Sequence, residues 1–291
     1  MAAQVQETLL LMAGFCWQAR EQFRIHKTPK LPNIPNESFI FAKKYLLTPL
    51  KSPEVIGFIA QSQRRIVVVL RGSESSQDNL IDLQIGQKQF PYGPGKTHAG
   101  WTHLYHASSH PQIPPLRTQI MTTVLKCLRK FPNRTVYLTG HSMGGSVATM
   151  AALDMALNFS IKPVVITFGS PKTGDSVFVQ AYDRAIEHSI RVANEWDIVP
   201  RLLPPNYKHV HYLYPLSWNC HSFGRHHHQI AAYFVMLRNF SPAFGKILAR
   251  GRNKGFSPVS PEITDPCLIR KDYNQKSQTG DYESTISPPF T

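Results

Sequence analysis

A serine flanked by glycines stands at residues 140–145, which read Gly-His-Ser-Met-Gly-Gly. Residues 135–139, before it, are β-branched, aromatic and apolar, as in a buried strand, and residues 146–153, after it, are typical of a helix packed closely on a sheet. A Gly-x-Ser-x-Gly sequence between a strand and a helix predicts a nucleophile elbow. The elbow forces Ser142 into an unfavourable backbone conformation, and the glycines two before and two after it remove side chains that would collide. The alternative is an accidental tight turn.

A serine hydroxyl is a poor nucleophile until a base takes its proton and an acid orients that base. In hydrolases with this elbow, the acid and then the base follow the serine along the chain. Residues 190–194 indicate a strand, and Asp197 lies in the loop after it, with Glu195 as the nearby competitor. We therefore predict Asp197 as the acid, although taken alone it is as well explained as a loop residue or a helix cap.

The base is harder to choose, because several histidines follow Asp197. His226, His227 and His228 are consecutive and precede a helix-like segment at 229–237, where a base in the preceding loop would be well placed. Each histidine alone is equally typical of a solvated surface, and His-rich segments also bind divalent metals. We expect no metal site, because the chain has no His-Glu-x-x-His sequence of the kind that binds catalytic zinc.

A third feature lies upstream, where residues 65–70 give the strongest strand signal in the chain and run into Arg71-Gly72-Ser73. Acyl transfer needs donors for the oxygen that becomes negative in the tetrahedral intermediate. One donor is the N–H of the residue after the nucleophile, Met143, and another comes from the loop after an early strand. Ser73 can offer both its N–H and its hydroxyl; the simpler alternative is a Gly-Ser turn.

Six sequence blocks occur in a characteristic order. They are residues 66–73, 78–83, 98–101, 140–145, 167–175 and 191–202. In this order the chain resembles the class 3 lipases, the fungal-lipase-like family of α/β-hydrolases, over about residues 55–235. The resemblance implies an α/β-hydrolase fold, with a mostly parallel central sheet flanked by helices.

The resemblance also implies roles for single residues. Ser142 would be the nucleophile, Asp197 the acid, and Ser73 with Met143 the oxyanion hole. The base of the family is commonly a histidine five residues before a tyrosine in the final helix, and that spacing selects His228, which precedes Tyr233 by five. Met143 replaces the more usual leucine, which we expect to change little because its backbone N–H is the working group.

Residues 77–85 resemble the lid of this family, a segment that hides the acyl pocket in water and opens at an oily surface. Asn79 stands where a tryptophan is common in the family. The alternative interpretation is a short connecting helix capped by Asp78.

Length and composition fit one α/β domain over residues 1–255, which the resemblance implies is an α/β-hydrolase domain, and a largely unstructured tail over residues 256–291, which are polar and contain prolines. The longest apolar runs are shorter than the ~20 residues that span a bilayer. Residues 7–15 lack a basic leader and contain an acid, so we predict an amphipathic first helix rather than a signal peptide. The four cysteines are widely scattered, which favours reduced thiols in a cytoplasmic protein.

The formal net charge is +14, and part of it lies between residues 238 and 254, where five basic residues occur without an acid. An anionic membrane or a lipid-droplet surface would attract such a segment, and a solvated basic helix is the simpler interpretation. No nucleic-acid-binding motif accompanies the charge, so we expect no nucleic acid partner, and no obligate protein partner is evident. The expected location is cytoplasmic or peripheral on a membrane.

Together these features predict a carboxylic-ester hydrolase acting on acylglycerols or related lipids without a metal or an organic cofactor. The alternatives are a phospholipase A1 or an acyltransferase on the same fold, and a catalytically dead lipid-binding protein at a membrane surface.

Overall fold

The structure is a computed structural model that describes residues 2–47, 53–74, 85–108, 110–210, 212–220, 227–260 and 262–269. The strands are β1 (Asn33–Ile34), β2 (Glu37–Ser38), β3 (Ile40–Leu47), β4 (Glu54–Gln61), β5 (Arg65–Leu70), β6 (Gln87–Gln89), β7 (Lys96–His98), β8 (Thr135–His141), β9 (Val164–Phe168), β10 (Ser189–Asn194) and β11 (Leu213–Leu216). The helices are α1 (Ala2–Ile25), α2 (Ala99–His106), α3 (Leu116–Lys130), α4 (Met143–Phe159), α5 (Ser176–Ala185), α6 (Ile230–Phe240) and α7 (Pro242–Ala249). Short 3-10 turns occupy Val199–Arg201, Gly251–Asn253 and Pro266–Leu268.

A seven-stranded sheet in the order β11-β10-β9-β8-β5-β4-β3 organises the domain. The five strands from β11 to β5 run parallel, whereas β4 is antiparallel to both β5 and β3. The parallel strands therefore end at one common edge, and the loops leaving β5, β8 and β10 meet there. These are the loops in which the sequence places Ser73, Ser142 and Asp197.

Two apolar cores lie on the two faces of this sheet, because successive side chains of a strand point to opposite faces. In β5, Val67 and Val69 join one core, whereas Ile66, Val68 and Leu70 join the other. The first core is completed by α1, α6 and α7, and the second by α2 to α5.

Helix α1 is confirmed as a helix, but it is more deeply buried than an amphipathic surface helix. The residues from Leu9 to Ala13 are at most 1% exposed, and Phe15, Cys16 and Ala19 are buried as well. The reason is that α1 packs between the sheet and α6, so that its apolar residues meet protein on nearly every side. Among the described residues, no helix is long and apolar enough to cross a membrane.

The described chain continues into the core beyond residue 255, the predicted domain boundary. Phe256, Val259 and Ile269 are at most 2% exposed and belong to the core that contains α1. Phe256 packs against the ring of Phe15, and Gln18 of α1 donates to its carbonyl. The described part of the predicted tail is therefore folded, and residues 270–291 lie outside the described residues.

The expectation of four reduced cysteines is wrong for one pair. Cys220 and Cys267 form a disulfide, whereas Cys16 and Cys127 are free and buried. The two cysteines are 47 residues apart in the sequence, and the segment around Cys267 was expected to be unstructured. No disulfide between them was therefore predicted.

The basic segment near the C-terminus folds as part of α6 and α7. Arg238 is buried and donates to the carbonyl of Ser260, so it is not available to a surface partner. Phe244 and Leu248 turn the apolar face of α7 into the core, whereas Ile247, next to Lys246, remains 39% exposed. Residues 77–84 of the predicted lid lie outside the described residues, and Ile85 at its end is exposed.

Candidate active site

The turn between β8 and α4 has the strained geometry of an elbow. Ser142 has φ 56° and ψ −130°, a region that residues with a side chain rarely adopt. A Cβ on Gly140 would lie 2.3 Å from the carbonyl oxygen of Gly144, and a Cβ on Gly144 would lie 2.3 Å from the carbonyl oxygen of Arg71. Both positions therefore require glycine, and the predicted backbone strain at Ser142 is confirmed.

Three predicted side chains come together at this edge of the sheet in a line. The Oγ of Ser142 lies 2.9 Å from Nε2 of His228. On the other side of that ring, Nδ1 lies 2.7 Å from Oδ2 of Asp197. Because an ionised carboxylate can only accept, Nδ1 carries the proton and Nε2 is left to accept from the serine hydroxyl. The hydroxyl, imidazole and carboxylate thus form a continuous path for a proton.

The carboxylate of Asp197 is buried and held by further donors. Tyr233 donates its hydroxyl to Oδ2 at 2.7 Å, and the N–H of Val199 donates to Oδ1 at 3.0 Å. Burial, followed by the nearby charge of Asp197, raises the pKa of Tyr233 well above its usual range, so this phenol remains a donor. Gly169 has φ 54°, and a Cβ there would lie 2.8 Å from the carboxylate, so glycine makes room for this contact.

His141, inside the elbow, supports the loop that carries the imidazole. Its Nε2 lies 2.6 Å from the carbonyl oxygen of His228, and the two rings are 4.6 Å apart. Burial, followed by the charge of His228, lowers the pKa of His141 well below its usual range. His141 is therefore neutral, and because a carbonyl only accepts, its proton is on Nε2.

Two other histidines that follow Asp197, His227 and His209, bind backbone groups. The Nε2 of His227 accepts the N–H of Cys220 at 3.0 Å, which fastens the loop before α6. The Nε2 of His209 donates to the carbonyl of Pro200 at 2.9 Å. His226 lies outside the described residues. In the part of the chain that the structure describes, no three His, Cys, Asp or Glu side chains cluster as metal ligands would.

The two residues predicted as oxyanion donors lie next to each other beside the elbow. Met143 is the first residue of α4, whose N-terminal N–H groups have no partner within the helix. Ser73 directs its hydroxyl to Sδ of Met143 at 3.7 Å. A Cβ on Gly72 would lie 3.0 Å from Cβ of Ser142, so the loop after β5 touches the turn that carries the serine. The Met143 side chain thus makes a contact that the usual leucine lacks.

Comparison with known proteins agrees with this architecture. The sequence model of the family described as lipase (class 3) matches residues 67–207. The matched part of the chain, residues 67–207, belongs to the class 3 lipase family. The matched residues include the proposed oxyanion loop, the elbow and Asp197, whereas α1, His228 and α6 lie outside them.

Relatives named lipase and relatives named phospholipase A1 each match about half of the chain. A lipase of Rhizomucor miehei is 30% identical over 155 residues, which cover 52% of this chain and 40% of that protein. A lipase of Caenorhabditis elegans is 33% identical over 153 residues, or 50% and 40% of the two chains. Phospholipase A1-II 3 of Oryza sativa subsp. japonica is 30% identical over 174 residues, or 51% and 41%. The chain thus spans about two fifths of the length of these relatives.

Solved structures confirm the α/β-hydrolase fold. The lipase of Rhizopus microsporus var. chinensis superposes with a TM-score of 0.56 at 25% identity, covering 70% of each chain. The triacylglyceride lipase of Rhizomucor miehei gives a TM-score of 0.58 at 23% identity, covering 74% of this chain and 81% of that one.

Sequence reasoning missed three supports of the site. These are the bond from His141 to the base loop, the room that Gly169 provides for Asp197, and the hydroxyl bond from Tyr233 to the acid. In the sequence, Tyr233 served only to select His228 by its spacing of five residues. A buried tyrosine five residues after a candidate base is the one signal that pointed to its role, because its hydroxyl needs a buried partner.

Proposed function

We propose that this class 3 lipase family member is a carboxylic-ester hydrolase that cleaves acylglycerols or related lipid esters through an acyl-enzyme. The observation that carries the proposal is the line of contacts from Ser142 through His228 to Asp197, with spacings of 2.9 Å and 2.7 Å. Each contact is within the reach that proton transfer requires.

In the first half of the reaction, Oγ of Ser142 attacks the ester carbonyl while Nε2 of His228 accepts the hydroxyl proton. Asp197 stabilises the imidazolium that forms and keeps the ring oriented. The carbonyl oxygen becomes negative and receives hydrogen bonds from the N–H of Met143 and from Ser73. The tetrahedral intermediate then collapses, the imidazolium gives its proton to the leaving alcohol, and the acyl group remains on Ser142.

In the second half, water attacks the acyl-enzyme and loses a proton to His228. The same donors receive the negative oxygen, and the returning proton restores the serine hydroxyl as the fatty acid leaves. The fixed neutrality of His141 supports both halves, because a second imidazolium 4.6 Å away would oppose the positive charge that forms on His228.

A lipid substrate is supported by the apolar surface next to the acid. Trp196 and Ile198 flank Asp197 and are 49% and 64% exposed, and Leu202 in the following turn is 62% exposed. Exposed apolar residues gathered at one rim are typical of a surface that meets lipid or another protein. We assign this rim, defined as Trp196, Ile198 and Leu202, to contact with a lipid surface.

The test is turnover of a panel of p-nitrophenyl esters, triglycerides and phospholipids, with and without an interface. Reaction of the protein with a fluorophosphonate probe should label Ser142, and S142A should abolish both labelling and hydrolysis. Full esterase activity in S142A would make the assignment wrong. An unlabelled, inactive wild-type protein would instead favour a lipid-binding protein with a dead site.

A phospholipase A1 activity is the second candidate, because relatives named phospholipase A1 match at the same 30% identity as the fungal lipase. The two candidates share the chemistry at Ser142 and differ in the headgroup of the substrate. Release of fatty acid from the sn-1 position of a phospholipid would favour the phospholipase, and release from triglyceride alone would favour the lipase. Transfer of the acyl group to an added alcohol in preference to water would indicate an acyltransferase.

A further inference from the structure

The loop that carries Ser73 is held on its near side by a buried arginine. Arg71 is fully buried, and its guanidinium donates to the carbonyls of Val55 at 2.7 Å and Gly72 at 2.8 Å. It also pairs with Glu54 at 3.2 Å. These contacts fix the backbone just before Ser73. On the far side of Ser73, the described loop ends at Glu74.

Helix α1 reaches this loop from outside the family match. Arg20 of α1 forms an ion pair with Glu74, with Nε 2.5 Å from Oε1. One turn further along α1, the ring of Phe23 lies 4.0 Å from the guanidinium carbon of Arg71. The same helix therefore contacts the residues on either side of the Gly72–Ser73 pair.

Helix α1 is itself tied to the strand that carries the nucleophile. Sγ of Cys16 lies 3.3 Å from Oγ1 of Thr139 in β8, three residues before Ser142. The guanidinium of Arg20 is also close enough to His141 to contribute to the lowered pKa of that ring. Helix α1 thus spans from the elbow to the proposed oxyanion loop, where Arg20 contacts Glu74.

Oxyanion donors act only where they stand about 2.7–3.1 Å from the developing charge, and a displacement of about 1 Å at such a site can cost about 100-fold in rate. We propose that Arg20, acting through Glu74, is a positioning residue that holds Ser73 against the elbow for oxyanion binding. The inference rests on the proposed ester hydrolysis. It makes α1, which lies outside the matched lipase residues, part of the catalytic apparatus.

The test compares R20Q, E74Q, the double variant R20Q/E74Q, the conservative variant R20K, and R24Q as a control on the same helix. Arg24 is exposed and lies one turn beyond Arg20. The side chains of Arg20 and Glu74 are 25% and 22% exposed, so the melting temperature of every variant is measured and the rates are compared well below the lowest of them. Steady-state kinetics on a soluble p-nitrophenyl ester then measure whether Ser73 is still positioned for oxyanion binding.

We expect kcat of R20Q to fall about tenfold with KM changed less than about twofold, a smaller loss than the 100- to 1000-fold that removal of a whole oxyanion donor costs. The kcat of E74Q should fall equally, and the kcat of the double variant should fall no further, because the two residues act as one unit. R20K should recover most of the rate, and R24Q should match the wild type. The fluorophosphonate labelling rate should fall in parallel.

Several outcomes would overturn the inference. One is an R20Q rate equal to that of R24Q, and another is a double variant in which the two losses multiply. A loss in R20Q that comes with a lower melting temperature and is not relieved in R20K would indicate a merely structural contact. In each of these cases the wild type still hydrolyses ester and S142A does not, so the proposed function stands. A wild type without labelling or hydrolysis would instead remove the proposed function itself.

Discussion

At the scale of single residues, the site depends on backbone positions that only glycine can occupy. Gly140 and Gly144 let β8 and α4 approach so closely that Ser142 is forced into positive φ, which exposes its hydroxyl to His228. Gly169 does the same for the carboxylate side, where any Cβ would meet Asp197. The strain at Ser142 costs about 1–3 kcal/mol and is offset by the packing around the turn.

The choice of base among consecutive histidines gives a prediction at this scale. H228A should lower kcat about 10⁴-fold or more, because it removes the proposed proton acceptor of Ser142. H227A should lower kcat less than about tenfold, because the contact described for His227 is with the N–H of Cys220 rather than with Ser142 or Asp197. Leaving that N–H without its acceptor should instead cost about 1–3 kcal/mol of unfolding free energy.

Kinetics on a soluble ester and urea unfolding of both variants make the measurement, and each variant serves as the control for the other. A large kcat loss in H227A together with an active H228A would mean that the base had been misassigned by one residue.

At the scale of elements, the chain before the proposed base is tied to β10 and to the C-terminal segment. Trp218 exchanges hydrogen bonds with the side chain of Asn194 at the end of β10. Its indole N–H donates to Asp265, which also accepts the N–H of Cys267. The disulfide from Cys220 to Cys267 closes this assembly, and the chain between the two cysteines includes His228.

Removal of this disulfide should therefore affect both stability and rate. C220S/C267S should lose about 2–4 kcal/mol of unfolding free energy, and its kcat should fall more than its affinity for a soluble ester, because the base loop gains freedom. Dithiothreitol should produce the same two changes in the wild type and no further change in the double variant, which controls for the buried Cys16 and Cys127. An unchanged kcat after reduction would show that the base loop holds its place without the disulfide.

A disulfide of this kind is typical of an oxidising compartment, whereas the scattered cysteines favoured reduced thiols. The difference has a physical origin. Pairing of Cys220 with Cys267 depends on the segment 256–269 returning to the domain, and that segment is polar apart from a few residues such as Phe256 and Ile269 that reach the core. Tertiary packing of isolated apolar residues leaves no periodic signal in the sequence.

Strands β5 and β8 and helix α6 were predictable because each carries an unbroken run of apolar, aromatic or β-branched residues. In β10 a single arginine, Arg191, interrupts such a run. The loops that leave β5, β8 and β10 meet at one edge of the sheet because these strands are parallel and end on the same side. The contact between Arg20 and Glu74 was not predictable, since 54 residues separate two charges that look like ordinary surface groups. The amphipathic character expected of α1 was also wrong, because burial on all sides depends on the packing of α6.

At the scale of the whole molecule, two buried histidines predict how stability depends on pH. Burial, followed by the charge of Arg191, lowers the pKa of His209 to about 4, and burial lowers that of His141 as well. The unfolded chain binds protons at both sites near pH 6.5, whereas the folded chain does not. Their contribution to stability is therefore complete above pH 6.5 and is lost as the pH falls towards 4.

Urea unfolding at pH 7.5 and pH 4.5 should show this loss in the wild type and a smaller loss in H209Q. Glutamine does not titrate, and its amide can still donate to the carbonyl of Pro200. H188Q is the matched control, because the side chain of His188 is 68% exposed. An equal loss in H209Q and H188Q would exclude His209 as a source of the acid sensitivity.

The distribution of exposed apolar groups predicts which end of the molecule meets lipid. Trp196 belongs to the rim beside Asp197, whereas Phe131, 44% exposed, lies four residues before the start of β8 and thus at the opposite edge of the sheet from Ser142. Burying a large aromatic side chain contributes about 1.5–3 kcal/mol. W196A should therefore weaken binding to vesicles of phosphatidylcholine and phosphatidylglycerol about tenfold or more, and F131A should leave it unchanged.

Sedimentation with such vesicles measures the partitioning, and hydrolysis of a soluble ester by the same variants corrects for any disturbance of Asp197 next to Trp196. The net charge of +14 attracts the protein to an anionic surface from any direction, so raising the salt concentration should weaken binding of both variants alike. The difference between W196A and F131A should persist in high salt, because it comes from apolar contact rather than charge. If F131A lost binding and W196A kept it, the lipid-facing end of the molecule would be the one opposite the serine.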